Sequence, residues 1–305
     1  SSLFFFFFFL FVSFRRMITN LVSCNQQFTE MICEKLSHDF RLPKVDQEEL
    51  QLEDLTGPFA ESIALSILDI SPSVPSFLQK SLLKSFPHKV NSALELDQFT
   101  MHMLSLVDHS LVLRERSLEY LISIMVDIDA EISIPDDEQE HDELLFDIDD
   151  TENKSSSKAL EMADKLDNIM NRTFNFINQQ LELGKMPDEL FKVNLKIFDA
   201  IILTTQKSKH PQFLMFFLCS KSALYSQQFL GYLIQKTIDN SSSQLIKATA
   251  IGYIASFIAR AKFISQSIVH STMVTLCNWA QAYARENSAN KEDFEKHQIF
   301  YHLCQ

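Results

Sequence analysis

Apolar residues recur every three or four positions along almost the whole chain, and this spacing constrains the fold more than any other feature of the sequence. Between residues 162 and 181, for example, the apolar side chains fall on one helical face, while Asp164, Asp167 and Asn171 lie largely on the other. The 305 residues include only four glycines, where average usage would give roughly 21. Because β-sheets use glycine in turns and bulges, the composition favours helices joined by short links.

The same spacing predicts a series of helices that repeat in pairs. Each pair spans about 40 residues, near the HEAT and armadillo period, and has a broad apolar face that must be covered by its neighbours. We therefore predict an all-α, HEAT-type α-solenoid, a superhelical array of antiparallel helix pairs, with N-terminal repeats at 17–129 and central repeats at 159–305. The predicted helices lie near 17–40, 59–70, 75–86, 92–109, 112–128, 159–182, 187–205, 211–220, 225–238, 243–260, 265–285 and 291–304.

Residues 130–158 interrupt the helical pattern and hold most of the excess negative charge of a chain whose net charge is −13. Self-repulsion and low apolar content predict a flexible, disordered acidic loop. Two interpretations stay open: a solvated linker, or a docking segment that folds on a partner, because four apolar residues between 144 and 148 interrupt the acids. The stretch from 136 to 152 contains ten acidic residues and no basic one: Asp136, Asp137, Glu138, Glu140, Asp142, Glu143, Asp147, Asp149, Asp150 and Glu152.

The overall charge and the cysteines restrict the class of partner and the compartment. A net charge of −13 and a pI of about 5.1 disfavour strong direct binding to nucleic acid or to an anionic membrane. The five cysteines show neither a disulfide framework nor a CxxC metal pair, which indicates a reducing compartment, the cytosol or the nucleus.

The first sixteen residues, SSLFFFFFFLFVSFRR, differ in composition from the rest of the chain. The apolar run is too short to span a bilayer, and Arg15 and Arg16 follow it, whereas a secretory signal places its positive charge first. Because Phe, Leu and Ser can all be encoded by pyrimidine-rich codons, we expect residues 1–16 to be a non-native low-complexity leader before a true start at Met17. A membrane-inserting segment is the alternative.

The sequence contains no pattern that is typical of an enzyme. Phosphate-binding, dinucleotide-binding, zinc-protease and nucleophile-elbow motifs are all missing, and the nine histidines are scattered. His302 with Cys304 is the nearest approach to a metal pair, but a surface histidine beside a buried thiol is the simpler interpretation. We predict a protein that has no enzymatic activity, no cofactor and no metal.

A second charge feature is the segment from Asn240 to Ala284, which contains no aspartate or glutamate. Lys247, Arg260 and Lys262 lie within it. One interpretation is burial, since central helices of a solenoid lose charges of both signs. The other is a contact surface for an acidic partner or for the chain's own acidic loop.

Two stretches of this acid-free segment resemble a known family. Residues 252–264 read GYIASFIARAKFI, and residues 275–280 read TLCNWA. They are similar to the YIGSFLARAKFI-like stretch and the following Leu-x-x-Asn-Trp pattern of the RNA polymerase I-specific initiation factor family. Ala255 stands where the family usually has glycine.

Weaker similarities to the same family follow in the correct order from about Met17 to the end. They are QFLMFFLCS at 212–220, KLDNIM at 165–170, VPSFL at 74–78 with KSFP at 84–87, and FYHLCQ at 300–305. The family continues for several helices beyond this point, so we expect the chain to be a fragment or the product of a truncated gene model.

The resemblance implies a nuclear, largely nucleolar factor without catalysis of its own. Such a factor binds RNA polymerase I near its stalk and couples it to promoter-bound selectivity factors, and a homodimer of the free protein is a further expectation. The residues that match the family motif, and are therefore candidates for polymerase contact, are Arg260, Ala261, Lys262, Phe263 and Ile264. Phe263 could equally belong to the core.

Family members are regulated by phosphorylation, which adds charge to a docking surface. Ser133 has acids at the third position and beyond, the spacing of an acid-directed kinase, and Ser92 follows Phe86-Pro87 in a position that resembles a regulated serine. A solvated serine or a helix cap is the alternative at each site. The other functions left open are a nuclear transport receptor of the HEAT/armadillo type and a generic protein scaffold.

Overall fold

The structure is a computed structural model that describes residues 2–41, 56–133, 151–184, 187–205, 208–239, 241–287 and 297–305, without the side chains of 2–8, 133 and 151–158. All regular secondary structure in these ranges is helical. The chain divides into two compact units, Ser1–Lys185 and Met186–Gln305.

The first unit contains seven described helices that pack side by side. Helix α2 packs on α4 and α4 on α6, while α3 packs on α5, and the long α7 covers both α5 and α6. Each helix therefore buries its apolar face against neighbours close in the chain, as the helical spacing requires. The helices are α1 (Ser2–Cys24), α2 (Gln26–His38), α3 (Thr56–Leu68), α4 (Val74–Ser85), α5 (Ala93–His109), α6 (Leu111–Ser133) and α7 (Thr151–Glu182).

Aromatic rings join the helices of the first unit. The ring of Phe99 on α5 meets Phe40 at 5.9 Å and Phe86 at 5.1 Å between centroids, both edge to face. Phe86 in turn meets Tyr120 of α6 at 5.3 Å. These edge-to-face contacts, with rings that are largely buried, tie α5 and α6 to the segments that follow α2 and α4.

A polar cluster holds α3 against α5. His102 of α5 is 3% exposed and its ring stacks on Phe40. Its Nδ1 lies 2.5 Å from Oε2 of Glu61 on α3, and Glu61 also accepts a hydrogen bond from Ser105. Gly57, at the start of α3, faces the other edge of the ring, and a Cβ atom there would lie 2.5 Å from Nε2 of His102.

The second unit contains six described helices. The first, α8 (Pro187–Ile197), continues into a π-helical turn, Phe198–Ile202. The core of the second unit is aromatic: Phe229 contacts Phe198 at 5.1 Å and Phe257 at 5.2 Å between ring centroids. The other helices are α9 (Gln212–Ser220), α10 (Ala223–Ile238), α11 (Gln244–Arg260), α12 (Gln266–Glu286) and α13 (Gln298–Cys304), and α10 packs extensively on α11.

These observations confirm the prediction of an all-α, solenoid-like fold. Some boundaries differ from those predicted. The helix expected at 17–40 is two helices, because the side chain of Asn25 accepts a hydrogen bond from the backbone N–H of Gln27 and starts α2. Helices α6 and α7 extend into both ends of the segment 130–158, and α7 packs in the first unit.

In the described part of the chain, no helix combines the length and apolarity that a membrane crossing requires. Residues 2–24 form α1, in which Phe11 packs against Phe59 of α3 with ring centroids 4.6 Å apart.

Candidate functional site

The family-like motif at 260–264 forms the connection between α11 and α12. Helix α11 ends at Arg260, and the backbone N–H of Ala261 donates to the carbonyl of Phe257 over 2.8 Å. The N–H of Ile264 then donates to the carbonyl of Ala261, and Ser265 caps α12 by accepting from the N–H of Ile268. The connection is therefore a short, hydrogen-bonded turn with defined side-chain directions.

The five candidate contact residues differ in exposure. Ala261 is buried and Ile264 is half-buried, so these two hold the turn against the unit. Arg260 and Lys262 are exposed. Phe263 is 45% exposed while its ring meets the edge of Phe257 at 6.0 Å, so it is partly anchored and partly presented to solvent.

Arg260 is held in place by a chain of hydrogen bonds to uncharged groups. Its Nη1 donates to Oγ of Ser256 over 2.9 Å, and that hydroxyl donates to Oε1 of Gln212 over 2.8 Å. Gln212, itself buried, donates from Nε2 to the carbonyl of Lys209. Among the described residues, no carboxylate forms an ion pair with Arg260.

The surface around this turn is exposed rather than buried. The residues of α12 that are buried are Ile268, Thr272 and Leu276, and most of its other side chains face solvent. Because the segment 240–284 contains no aspartate or glutamate, the charged side chains on its exposed surface are basic. Burial of the helices does not account for this part of the charge pattern.

The motif at 212–220 has a structural role. It forms α9, and Cys219 is buried there, with its Sγ 3.7 Å from the carbonyl of Tyr225. Burial raises the pKa of the Cys219 thiol, which keeps it protonated and unreactive. Across the part of the chain that the structure describes, no group of three His, Cys, Asp or Glu side chains could hold a metal ion.

The two candidate phosphorylation sites lie in the first unit. Ser92 is exposed and caps α5, where its hydroxyl accepts from the backbone N–H of Glu95 over 3.2 Å. Ser133 is the last residue of α6, and its side chain lies outside the described residues. The acidic residues predicted for the loop, Asp136, Asp137, Glu138, Asp142, Glu143, Asp147, Asp149 and Asp150, also lie outside them.

The structure brings together one feature that the sequence did not indicate. A groove of about 350 Å³ runs along α11 beside the segment that leads into α9. It is adjacent to the candidate turn, because Ser256 both lines it and binds Arg260. Its lining residues are Thr205, Ser208, Gln212, Leu245, Ala248, Thr249, Gly252, Tyr253 and Ser256. The one signal available in the sequence was a glycine inside a predicted helix, at 252.

Fold and surface together define an all-α helical-repeat protein with an exposed basic and aromatic turn. Comparison with known proteins identifies the family. The model of the family "RNA polymerase I specific transcription initiation factor RRN3" matches residues 10–305, and the chain belongs to this family.

The relatives agree with this assignment. The chain is 30% identical over 264 residues to the RNA polymerase I-specific transcription initiation factor RRN3 of Mus musculus, covering 77% of this chain and 40% of the relative. It is 22% identical over 327 residues to the rrn3 factor of Schizosaccharomyces pombe, covering 96% of this chain and 54% of the relative.

A solved structure confirms the fold. The chain superimposes on the crystal structure of RNA polymerase I transcription initiation factor Rrn3 with a TM-score of 0.77 and 21% identity, over 93% of this chain and 55% of that one. The chain thus spans about half the length of the relatives and of the solved structure that it matches.

Proposed function

We propose that this chain acts in transcription initiation by binding RNA polymerase I through the connection between α11 and α12, without catalysis of its own. The observation that carries the proposal is the exposed set Arg260, Lys262 and Phe263 on one short turn, within an acid-free segment of a chain of this family. The bound polymerase is then bridged to promoter-bound selectivity factors for ribosomal RNA gene transcription.

The chemistry of the turn suits a protein partner. Arginine and aromatic residues are enriched among the side chains that contribute most to binding, and an anchored ring loses little freedom when it is covered. Phe263 is such a ring, because it already makes an edge-to-face contact with Phe257. Arg260 and Lys262 add attraction for an acidic patch on the partner and make association sensitive to salt.

The remaining features of the proposed role come from the family and the composition. We place the protein in the nucleus and nucleolus, near the polymerase stalk when bound and as a homodimer when free. It needs no cofactor, no metal and no membrane, and it binds nucleic acid weakly at most, in keeping with its net charge of −13.

Phosphorylation at Ser92 and Ser133 is the proposed regulation. A phosphate on Ser92 would lie at the first turn of α5, where a negative charge is favourable, so that modification changes the surface without unfolding the helix. Phosphopeptide mapping of the native protein tests both serines. Recovery of unmodified peptides alone at both positions would reject this part of the proposal.

The direct test of the proposed function is capture of purified RNA polymerase I by the immobilised chain. We expect the wild-type chain and a Lys192→Glu variant to retain the polymerase, since Lys192 is an exposed lysine on α8, a different helix from the two that the turn connects. A Phe263→Ala variant should retain much less. Equal retention by the Phe263→Ala variant and the wild type would remove the turn from the proposal.

The alternative of a HEAT/armadillo-type transport receptor or a generic scaffold has less support in the structure. The single tryptophan of the chain, Trp279, is half-buried and stacks on Tyr283 with ring centroids 5.2 Å apart. It is not one of a row of tryptophans along a groove that could hold a basic peptide. Affinity purification from nuclear extract distinguishes these functions by the subunits that are recovered.

A further inference from the structure

The groove along α11 is large enough to receive side chains of a partner. It extends from Leu245 to Ser256, about 16 Å at the rise of an α-helix. Leu245 is 47% exposed at one end, and Arg260 follows one turn beyond the other end.

The floor of the groove is low because Gly252 has no side chain. A glycine inside a helix destabilises it relative to alanine, so a packing reason would be expected. At Gly57 that reason exists, because a Cβ atom would collide with His102. At Gly252 a Cβ atom would meet nothing within 4 Å in the protein. Gly231 has the same open surroundings, but it does not line the groove.

Three hydroxyl groups that line the groove donate their hydrogens within the chain. Thr249 donates to the carbonyl of Leu245, Thr205 to that of Ile201, and Ser256 to Gln212. At these positions the walls present oxygen lone pairs and, on the threonines, methyl groups, which suit an uncharged or apolar ridge.

Arg260 supplies charged donors at the end of the groove. A guanidinium group has five N–H groups in a planar fork that matches a carboxylate. In the described structure one of these, on Nη1, binds Ser256, and this bond fixes the fork beside the end of the groove. Because no acid occurs between 240 and 284, the charged side chains of this segment are basic and favour an acidic ligand.

We infer that this groove, ending at Arg260, is the docking site for one acidic amphipathic helix of the polymerase, and this inference rests on the proposed function. The small or apolar ridge of that helix lies over Ala248 and Gly252. A carboxylate at its end binds the guanidinium of Arg260 in place of solvent. Phe263 and Lys262 contact the surface beyond it.

Filling the groove tests the inference. Gly252→Leu introduces a good helix former at an exposed position, so the fold should survive, which a thermal melt and circular dichroism can check. Binding of purified RNA polymerase I should weaken about tenfold or more, in the range of a lost anchor site. Lys192→Leu, the same side chain on an exposed face of α8, should bind as the wild type does.

The fork of Arg260 is tested separately. Arg260→Gln should weaken polymerase binding and reduce the salt dependence of binding. Arg260→Lys should keep the salt dependence but only part of the affinity, because lysine cannot bind a carboxylate with two parallel hydrogen bonds. If the folded Gly252→Leu variant bound the polymerase with wild-type affinity, the groove would not be the docking site. If the Arg260→Gln variant bound the polymerase with wild-type affinity, the proposed contact between Arg260 and a carboxylate of the polymerase would be refuted. If the wild-type chain fails to bind polymerase, the proposed function falls and the inference falls with it.

Discussion

Alanine at Gly57 should destabilise the first unit, although alanine normally favours a helix. The added Cβ would lie 2.5 Å from Nε2 and 3.2 Å from Cε1 of His102. The ring cannot move aside cheaply, because it is buried, stacked on Phe40 and bonded to Glu61. Overpacking of this kind costs about 1–3 kcal/mol. The gain in helix propensity is at most about 1 kcal/mol in a helix interior, and smaller at the second residue of α3.

The net expectation is a loss of about 1–2 kcal/mol in the free energy of unfolding, from these opposing contributions. Urea unfolding followed by circular dichroism measures it, and hydrogen exchange assigns the change to α3 and α5. The matched control is Gly252→Ala, at an open position in the middle of α11, which should instead stabilise the second unit by about 0.5–1 kcal/mol.

A double-mutant cycle isolates the cause of the Gly57→Ala effect. In a His102→Ala background the collision is absent, so adding alanine at 57 should cost nothing further. A Gly57→Ala protein as stable as the wild type, or the same loss in both backgrounds, would refute the argument that the missing side chain makes room for the ring.

Three further predictions concern single contacts. Burial raises the pKa of Glu61, but hydrogen bonds from His102 and Ser105 outweigh burial and lower this pKa below its ordinary value of 4.5. The carboxylate therefore contributes its full stabilisation above pH 4.5, and this contribution is lost as the pH falls through the pKa of Glu61 in the folded protein. The urea midpoints of Glu61→Gln and the wild type should thus converge in acid, and a constant gap would contradict this. Arg172 binds both oxygens of Asp97 at 2.7 Å. Because the arginine is 41% exposed, Arg172→Lys should lower the free energy of unfolding by no more than about 1 kcal/mol. In an Asp97→Asn background the same substitution should have no effect, and urea titration measures both. Burial, together with the charge of a nearby glutamate, raises the pKa of Cys33 to about 12, so iodoacetamide should label the exposed Cys277 well before it; equal labelling of the folded chain would be inconsistent with that burial.

Helical spacing was sufficient to predict the fold class, because each helix buries one face and exposes the other. It was less able to predict where helices are interrupted. Asn25 lies within an apolar pattern that continues on both sides, and only the bond from its side chain to Gln27 shows that a new helix begins. The π-helical turn at Phe198–Ile202 was hidden for the same reason, since one extra residue in a turn hardly alters the pattern.

Helix spacing also does not reveal which helices are neighbours. An apolar face on residues 162–181 is compatible with packing against either side of the chain, and the structure shows that α7 packs on α5 and α6. The change of composition at 130–158 and the end of the first compact unit at Lys185 therefore lie at different positions in the chain.

For the candidate site, the motif could be located from sequence but its geometry could not. Whether Phe263 belongs to the core depends on how far its ring extends past Phe257, and the structure shows that it is 45% exposed. The groove depends on Thr205, Ser208 and Gln212 lying beside α11, a contact between segments about 40 positions apart that no local pattern encodes. Polymerase contact by these residues stays a prediction.

The most direct test of the account is the affinity of purified RNA polymerase I for the chain, measured by titration at low and high salt, with the charges of the turn reversed. Arg260→Glu combined with Lys262→Glu should raise the dissociation constant by about tenfold or more at low salt, equivalent to about 1.4 kcal/mol, and should remove much of the salt dependence. Lys192→Glu should change neither. Binding of the doubly reversed, folded chain that equals the wild type at both salt concentrations would contradict the central claim that this exposed turn binds the polymerase.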